Sequence, residues 1–307
     1  MATINMANKF STKVDEKFSR EALYNLVTNN DYEFNGVKQV DVYSIPVVPM
    51  NDYGRPTDDT TAFSSSRYGT AKELGNQVQH LVVKQDRSWT FTIDKMNKNQ
   101  SQMVMDAGKA VSRQLSLKII PEMDAYVFGK IAVNAGTSKT ETLTKTTAYE
   151  AFLKAQETLG NLNVPDTGRI ALVSYNFAGL MKQDPAFMRD CDTAQNMHIK
   201  GMLGEVDGVK IVRVPSSRLP AGCNFILTHP IACVAPKQLS EYKIHTDAPG
   251  ISGWLCEGRI VYDAFVLDNK KDAIYYSGTS AAAEPTRENH TPATDTQAYA
   301  DLVDSLS

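Results

Sequence analysis

Cys191 and His198 stand in one short stretch and could in principle act as a nucleophile and its base. No third residue suggests itself to orient the histidine, and a buried structural thiol accounts for Cys191 as well. Glu122 and Asp124 are close in sequence, but on a helix they project from different faces and make no acid/base pair. Salt-bridge or capping roles suit them better. His80, His229, His245 and His290 are separated by wide, unrelated gaps, and the spacing points to no metal site. Gly201, Gly204 and Gly208 form G-x-x-G-x-x-x-G, which matches no phosphate loop; they read as residues permitting positive φ in a turn before a strand. No G-x-S-x-G elbow, H-E-x-x-H, Walker loop or strand-linked G-x-G-x-x-G occurs. The expectation is a protein with no catalytic residue, no cofactor and no metal.

Composition narrows the class. The chain has 307 residues, 42% hydrophobic and 22% charged, enough apolar material for a real core. A net charge of −3 and a pI near 6.0 leave no electrostatic footprint for gripping nucleic acid. No apolar run approaches the roughly 18 residues of a membrane span, and Met1–Phe10 lacks the basic and apolar regions of a secretory signal. The four cysteines, Cys191, Cys223, Cys233 and Cys256, show no C-x-x-C spacing, which argues against zinc and a disulfide framework and suits a reducing cytoplasm. Asn99 and Asn289 match N-x-[ST] without meaning in such a compartment.

The elements that would position any site follow from periodicity. Phe10, Val14, Phe18, Leu23, Leu26 and Val27 predict a helix over 8–30, stopped at Asn29-Asn30-Asp31. A Val/Ile-rich strand is expected over 37–48, ending at Pro49. One or two more strands fall in 78–93, where Trp89, Phe91 and Ile93 alternate with Ser88, Thr90 and Thr92. Between them, residues 49–77 contain no Val or Ile and carry polar runs such as Ser64-Ser65-Ser66. A structureless loop of that length is functional or disordered, and two strands leading to a polar tip bury little by themselves. A stripe from Met103 through Val111, Leu115, Ile119 and Met123 to Ile131 predicts a long helix over 99–135, broken at Pro121 and ended at Gly136.

From residue 146 the pattern becomes α/β. Thr147 and Glu150 read as a capping box for a helix ending at Gly160. A strand at Arg169–Val173 leads to a short helix capped by Ser174 and ended at Asp184-Pro185. Strands follow at 209–214, 224–228 and 231–235, then a hairpin of Arg259–Leu267 and Ala273–Tyr276 around Asp268–Asp272. Residues 278–307 have the composition of a mobile tail, yet Tyr299, Leu302, Val303 and Leu306 fall on one helical face, either a docking stripe or a frayed end.

This order of parts, an α+β chain with an N-terminal arm, a long β-loop, a long helix, an α/β region and closing strands, resembles the HK97-fold major capsid proteins of tailed phages. Particular stretches carry the likeness. Asn51-Asp52-Tyr53-Gly54-Arg55 and Arg67-Tyr68-Gly69 are similar to loop-tip segments of one siphophage branch. Gln85-Asp86-Arg87-Ser88 with Phe91, Ile93-Asp94 and Met96-Asn97 resembles the approach to its spine helix, and Ile120-Pro121-Glu122-Met123-Asp124-Ala125-Tyr126 resembles the middle of that helix. Gly204-Glu205-Val206-Asp207-Gly208-Val209 followed by Arg213-Val214-Pro215 is similar to the axial domain. The likeness spans about 8–277.

The resemblance implies an N-arm at 1–36, an E-loop at 37–95, a P-domain at 96–145 and 244–277 with the spine helix broken at Pro121, an A-domain at 146–243 with a turn at Gly204 and Gly208, and a C-terminal tail at 278–307. Tyr53, Gly54, Arg55, Arg67, Tyr68 and Gly69 would touch the neighbouring subunit. It implies a non-enzymatic virion subunit, assembled in the bacterial cytoplasm into hexamers and pentamers of an icosahedral procapsid. Its partners would be its own copies, a portal, a scaffolding protein and, where present, decoration proteins, with double-stranded DNA enclosed but not read. No charged or coiled-coil segment precedes the N-arm, so a separate scaffolding polypeptide is expected. The same fold also serves encapsulin-like nanocompartments, an alternative that enzyme cargo without DNA would mark. A cytoplasmic hydrolase using Cys191 would be a monomer or small oligomer.

The founding member of the fold links subunits through a Lys–Asn isopeptide bond from its E-loop. Residues 49–71 of this chain hold Arg55 and Arg67 but no lysine, the first being Lys72. Reducing, denaturing electrophoresis of mature particles is therefore expected to give one band near 33.8 kDa; a ladder of higher bands would refute it.

Overall fold

All five residues of β5 (Ile170–Ser174) are buried, so this strand is covered on both faces, as its unbroken apolar run requires. The computed structural model describes residues 22–29, 31–32, 39–53, 67–95, 107–184, 187, 204–246 and 249–285. The chain divides into two compact units, Val37–Val82 and, separately, Met1–Gly36 with Val83–Ser307.

In the larger unit β5 lies inside a six-stranded mixed sheet. Its order is β4 (Thr137–Thr140), β13 (Ile274–Gly278), β8 (Cys223–Thr228), β5, β7 (Val209–Val214) and β6 (Glu205–Val206). Because side chains alternate along a strand, the sheet feeds two cores. Ile170, Leu172, Ile226, Ile274 and Tyr276 pack with Met123, Val127, Phe128 and Ile131 of the helix α2 (Ile120–Val133). Ala171, Val173, Phe225, Leu227 and Tyr275 pack with the helices α3 (Ala148–Asn161) and α4 (Tyr175–Gln183). Phe225 centres the second core, its ring 4.8 Å from Phe177, 5.9 Å from Phe152 and 6.0 Å from Tyr275.

A three-stranded antiparallel sheet, β10 (Lys237–His245), β11 (Gly253–Tyr262) and β3 (Gln85–Asp94), belongs to the same unit. The Trp89–Phe91–Ile93 alternation turns these residues toward Ala107 and Val111 of α1 (Ala107–Gln114), with Cys256 beside them. The opposite face is charged: Arg259 Nε donates to Asp86 Oδ1 at 2.9 Å across the strands.

Five expectations are corrected. The closing hairpin does not form. Residues 268–273 make a 3₁₀ turn, β11 pairs with β10 and β3, β12 (Phe265–Val266) pairs with β9 (Cys233–Val234), and β13 pairs with β8 and β4. The capping box does not form either, because Thr147 Oγ1 is taken by the amide of Thr144 and Glu150 pairs with Lys154, while the α3 amide of Tyr149 donates to Asp184. Of the helix expected over 8–30, residues 8–21 lie outside the described residues; residues 24–26 form one 3₁₀ turn, and Asn29 bridges to Val234. The strand expected over 37–48 is β1 (Gln39–Ser44), which stops before Pro46, a residue with no amide hydrogen for a ladder. In the long helix, residues 99–106 lie outside the described residues, and a π segment at Leu115–Ile119 separates α1 from α2.

Two buried carboxylates join distant parts of this unit. Asp124 on α2 accepts from the amides of Leu23 and Tyr24 at 3.1 and 3.0 Å and from Arg218 Nη1 at 2.7 Å. Burial raises its pKa, opposed by the Tyr24 amide and the Arg218 guanidinium. Asp263, after β11, accepts from the Tyr126 hydroxyl at 2.8 Å, the Lys84 amide at 2.9 Å and the Ala264 amide at 2.8 Å. Removing Asp124 leaves a guanidinium and two amides buried without their acceptor. Asp124→Ala should lower the unfolding free energy of the unassembled subunit by about 3–5 kcal/mol in urea; a loss below about 1 kcal/mol, the net worth of an ordinary hydrogen bond, would show that this junction is not what joins residues 22–29 to α2.

Candidate assembly surface

In the smaller unit β1 pairs antiparallel with β2 (Gln77–Val82), from Gln39 opposite Val82 to Ser44 opposite Gln77. Asp41 and His80 face each other in this register with 2.7 Å between Oδ1 and Nδ1, and Gln39 Nε2 donates to the same carboxylate at 2.7 Å. The His80 and Gln39 hydrogen bonds hold the Asp41 carboxyl below the usual range. Beyond the strands, Tyr53 and Tyr68 meet edge to face at 5.0 Å, and Asn51 Nδ2 donates to the Tyr68 carbonyl at 3.3 Å. Gly69 has φ +84°, and a Cβ there would stand 2.8 Å from Asn51 Nδ2, so the turn beside Tyr68 requires glycine. Arg67 is exposed; Gly54 and Arg55 lie outside the described residues.

What distinguishes this unit, among the described residues, is exposed apolar surface. Val47 is 94% and Met50 97% exposed, and Ile45, Val48, Tyr68 and Leu74 are exposed as well. Contiguous exposed apolar side chains mark binding surfaces. The Ile45–Met50 run escaped the sequence reading, which assigned it partly to a strand and partly to a polar loop. Its signal was the pair Pro46 and Pro49, which break a Val/Ile stretch so that it joins no ladder.

The other expected positions fall elsewhere. Pro121 lies in the first turn of α2, directly after the π segment, whose wider turn accommodates a ring that crowds the preceding carbonyls. Gly208, at φ +74°, and Asp207, at φ +51°, form the turn between β6 and β7. The Gly204 carbonyl accepts from the Ile211 amide at 3.0 Å. Gly201 and the stripe Tyr299, Leu302, Val303 and Leu306 lie outside the described residues.

Several described residues that were weighed for chemistry are engaged in structure. Glu122 accepts from Arg87 Nε at 2.8 Å, and Asp124 faces Arg218, so the two carboxylates serve separate ion pairs. Burial pushes the thiols of Cys223 and Cys233 up to about 12, which keeps both protonated near neutral pH and poor nucleophiles. His229 accepts from the Ile231 amide at Nδ1 and so donates from Nε2 to the Thr167 carbonyl. Cys191, His198 and His290 lie outside the described residues. Among the described residues no group of three or more His, Cys, Asp or Glu could hold a metal ion, and no helix is long and apolar enough to cross a membrane.

No protein-family profile and no curated protein matches the chain. Solved structures do. A structure from Mycobacterium phage Che8 is similar at TM-score 0.73 and 16% identity, covering 90% of this chain and 97% of that one. The capsid structure of the Cyanophage P-SCSP1u gives 0.67 and 13%, covering 89% and 93%. The acidic stable capsid structure of Helicobacter pylori bacteriophage KHP30 gives 0.66 and 11%, covering 89% and 95%. The chain has a phage capsid fold. At these identities the capsid fold is held by packing pattern rather than by shared residues, in keeping with a mixed α+β core whose covered sheet tolerates exchange among apolar side chains.

Proposed function

We propose that this chain is the major capsid protein of a tailed phage, a subunit that assembles with its own copies into hexamers and pentamers of an icosahedral head around double-stranded DNA. The observation that carries this reading is the uncovered apolar ribbon on a chain with a capsid fold. Ile45, Val47, Val48 and Met50 are exposed beside a two-stranded ribbon, and in this reading they gain burial on another molecule. Neighbours in a ring supply that molecule through one repeated heterologous contact.

In this reading residues 1–36 are the N-arm and 37–95 the E-loop, with Tyr53, Gly54, Arg55, Arg67, Tyr68 and Gly69 near its tip. The helix from Ala107 to Val133 is the spine of a P-domain formed by 96–145 and 244–277, with Pro121 at its break. Residues 146–243 are the A-domain, with the Gly208 turn at its edge. The subunit performs no catalysis. Assembly takes place in the host cytoplasm with a separate scaffolding protein and a portal, and DNA is enclosed without sequence-specific contacts, consistent with a net charge of −3.

The double variant Val47→Asp with Met50→Asp tests the ribbon's role. Both positions are almost fully exposed, so the subunit should fold with unchanged circular dichroism. Burying two unpaired carboxylates at a contact costs several kcal/mol, so co-expression with the neighbouring gene products should yield soluble subunits and no shells by sedimentation and negative-stain microscopy. Shells of ordinary size from the variant would overturn the ribbon's role. Failure of the unsubstituted chain to form shells under the same conditions would overturn the capsid reading.

A further inference from the structure

Gly129 lies inside α2, where glycine costs roughly 1 kcal/mol relative to alanine. The atoms nearest to where a Cβ would stand belong to a segment crossing the helix. A Cβ at 129 would stand 3.0 Å from Pro285 Cβ and 3.2 Å from Pro285 Cγ. The adjacent Lys130 pairs with Glu284, its ammonium also 5.9 Å from the centre of the Tyr126 ring.

The same segment is tied at its other end. After β13, the Thr279 amide donates to the Gly222 carbonyl at 2.7 Å, and Thr279 Oγ1 donates to the same oxygen at 3.2 Å. Ser280 Oγ donates to the Ala221 carbonyl at 3.3 Å, and the Tyr276 hydroxyl donates to the Ser280 carbonyl at 3.0 Å. Ala282 packs on the core that α2 shares with the sheet. Ala282 and Pro285 are half-buried, while residues 279–281, 283 and 284 are exposed. The segment belongs to no helix or strand, so its contacts are few and located at its two ends and its middle. Such a segment opens locally at a free energy well below that of the whole fold.

We propose that residues 279–285 form a releasable strap seated on α2, with Gly129 as its notch and the Lys130–Glu284 pair as its latch. Its release leaves the six-stranded sheet intact. This does not depend on the capsid reading.

Hydrogen exchange of the full-length, unassembled chain, followed by mass spectrometry, tests it. Gly129→Val and Glu284→Lys should each speed exchange across residues 279–285 several-fold, with the β13 peptide unchanged. The charge swap of Lys130→Glu with Glu284→Lys should return exchange toward the unsubstituted rate. Glu284→Lys alters an exposed side chain, so it reports even if Gly129→Val folds poorly. Unchanged exchange in Glu284→Lys, no recovery in the swap, or equal acceleration in β13 would each overturn the strap.

Discussion

A chain buries apolar side chains wherever its geometry gives them a facing surface; in β1 and β2 Leu81 is buried and Val40 and Val42 are half-buried, but the stretch after β1 is not. Among the described residues each strand has one neighbour, and the extended stretch that follows β1 joins no ladder. Ile45, Val47, Val48 and Met50 therefore remain in water in the isolated subunit. At roughly 25 cal/mol per Å² of apolar surface, a few such side chains supply a worthwhile fraction of a protein contact without any charged residue. Selection for solubility alone would replace them. Their presence makes sense as half of an interface.

The larger unit shows the opposite condition. Its six-stranded sheet has helices on both faces, and successive residues of β5 enter different cores. What apolar packing does not specify is how segments far apart in sequence are joined, and polar groups do that. Asp124 gathers residues 23, 24 and 218 onto one helix, and Asp263 gathers residues 84 and 126. Each carboxylate is satisfied by donors from separate elements, so a slipped register would leave several groups unpaired at once. The subunit is thus rigid where it packs on itself and open where it presents apolar surface.

Local signals in the sequence were legible where the partner is also local or where alternation is strict. Trp89, Phe91 and Ile93 identify the buried face of β3, the run ending at Val173 identifies a strand, and Ser174 caps α4 through the Phe177 amide. Long-range competition defeated the rest. Thr147 and Glu150 fit a capping box, but Asp184, 35 residues later, takes the Tyr149 amide. Ile274–Gly278 looks like the second arm of a hairpin, yet its partners are β8 and β4, brought together only by the completed sheet. At the candidate surface, Tyr53, Tyr68 and Gly69 were singled out by the resemblance, whereas Ile45–Met50 was hidden because burial, not residue type, separates a core strand from an exposed one.

Met50 gives the most direct measurement. Its thioether is almost fully exposed in the subunit, and sulfoxide formation follows exposure. With mild peroxide and peptide mapping, Met50 should oxidise rapidly in unassembled subunits and become strongly protected in assembled particles, while buried Met181 stays slow in both. Equal rates of Met50 oxidation before and after assembly would mean that the ribbon faces solvent in the particle and that its apolar surface is not an interface.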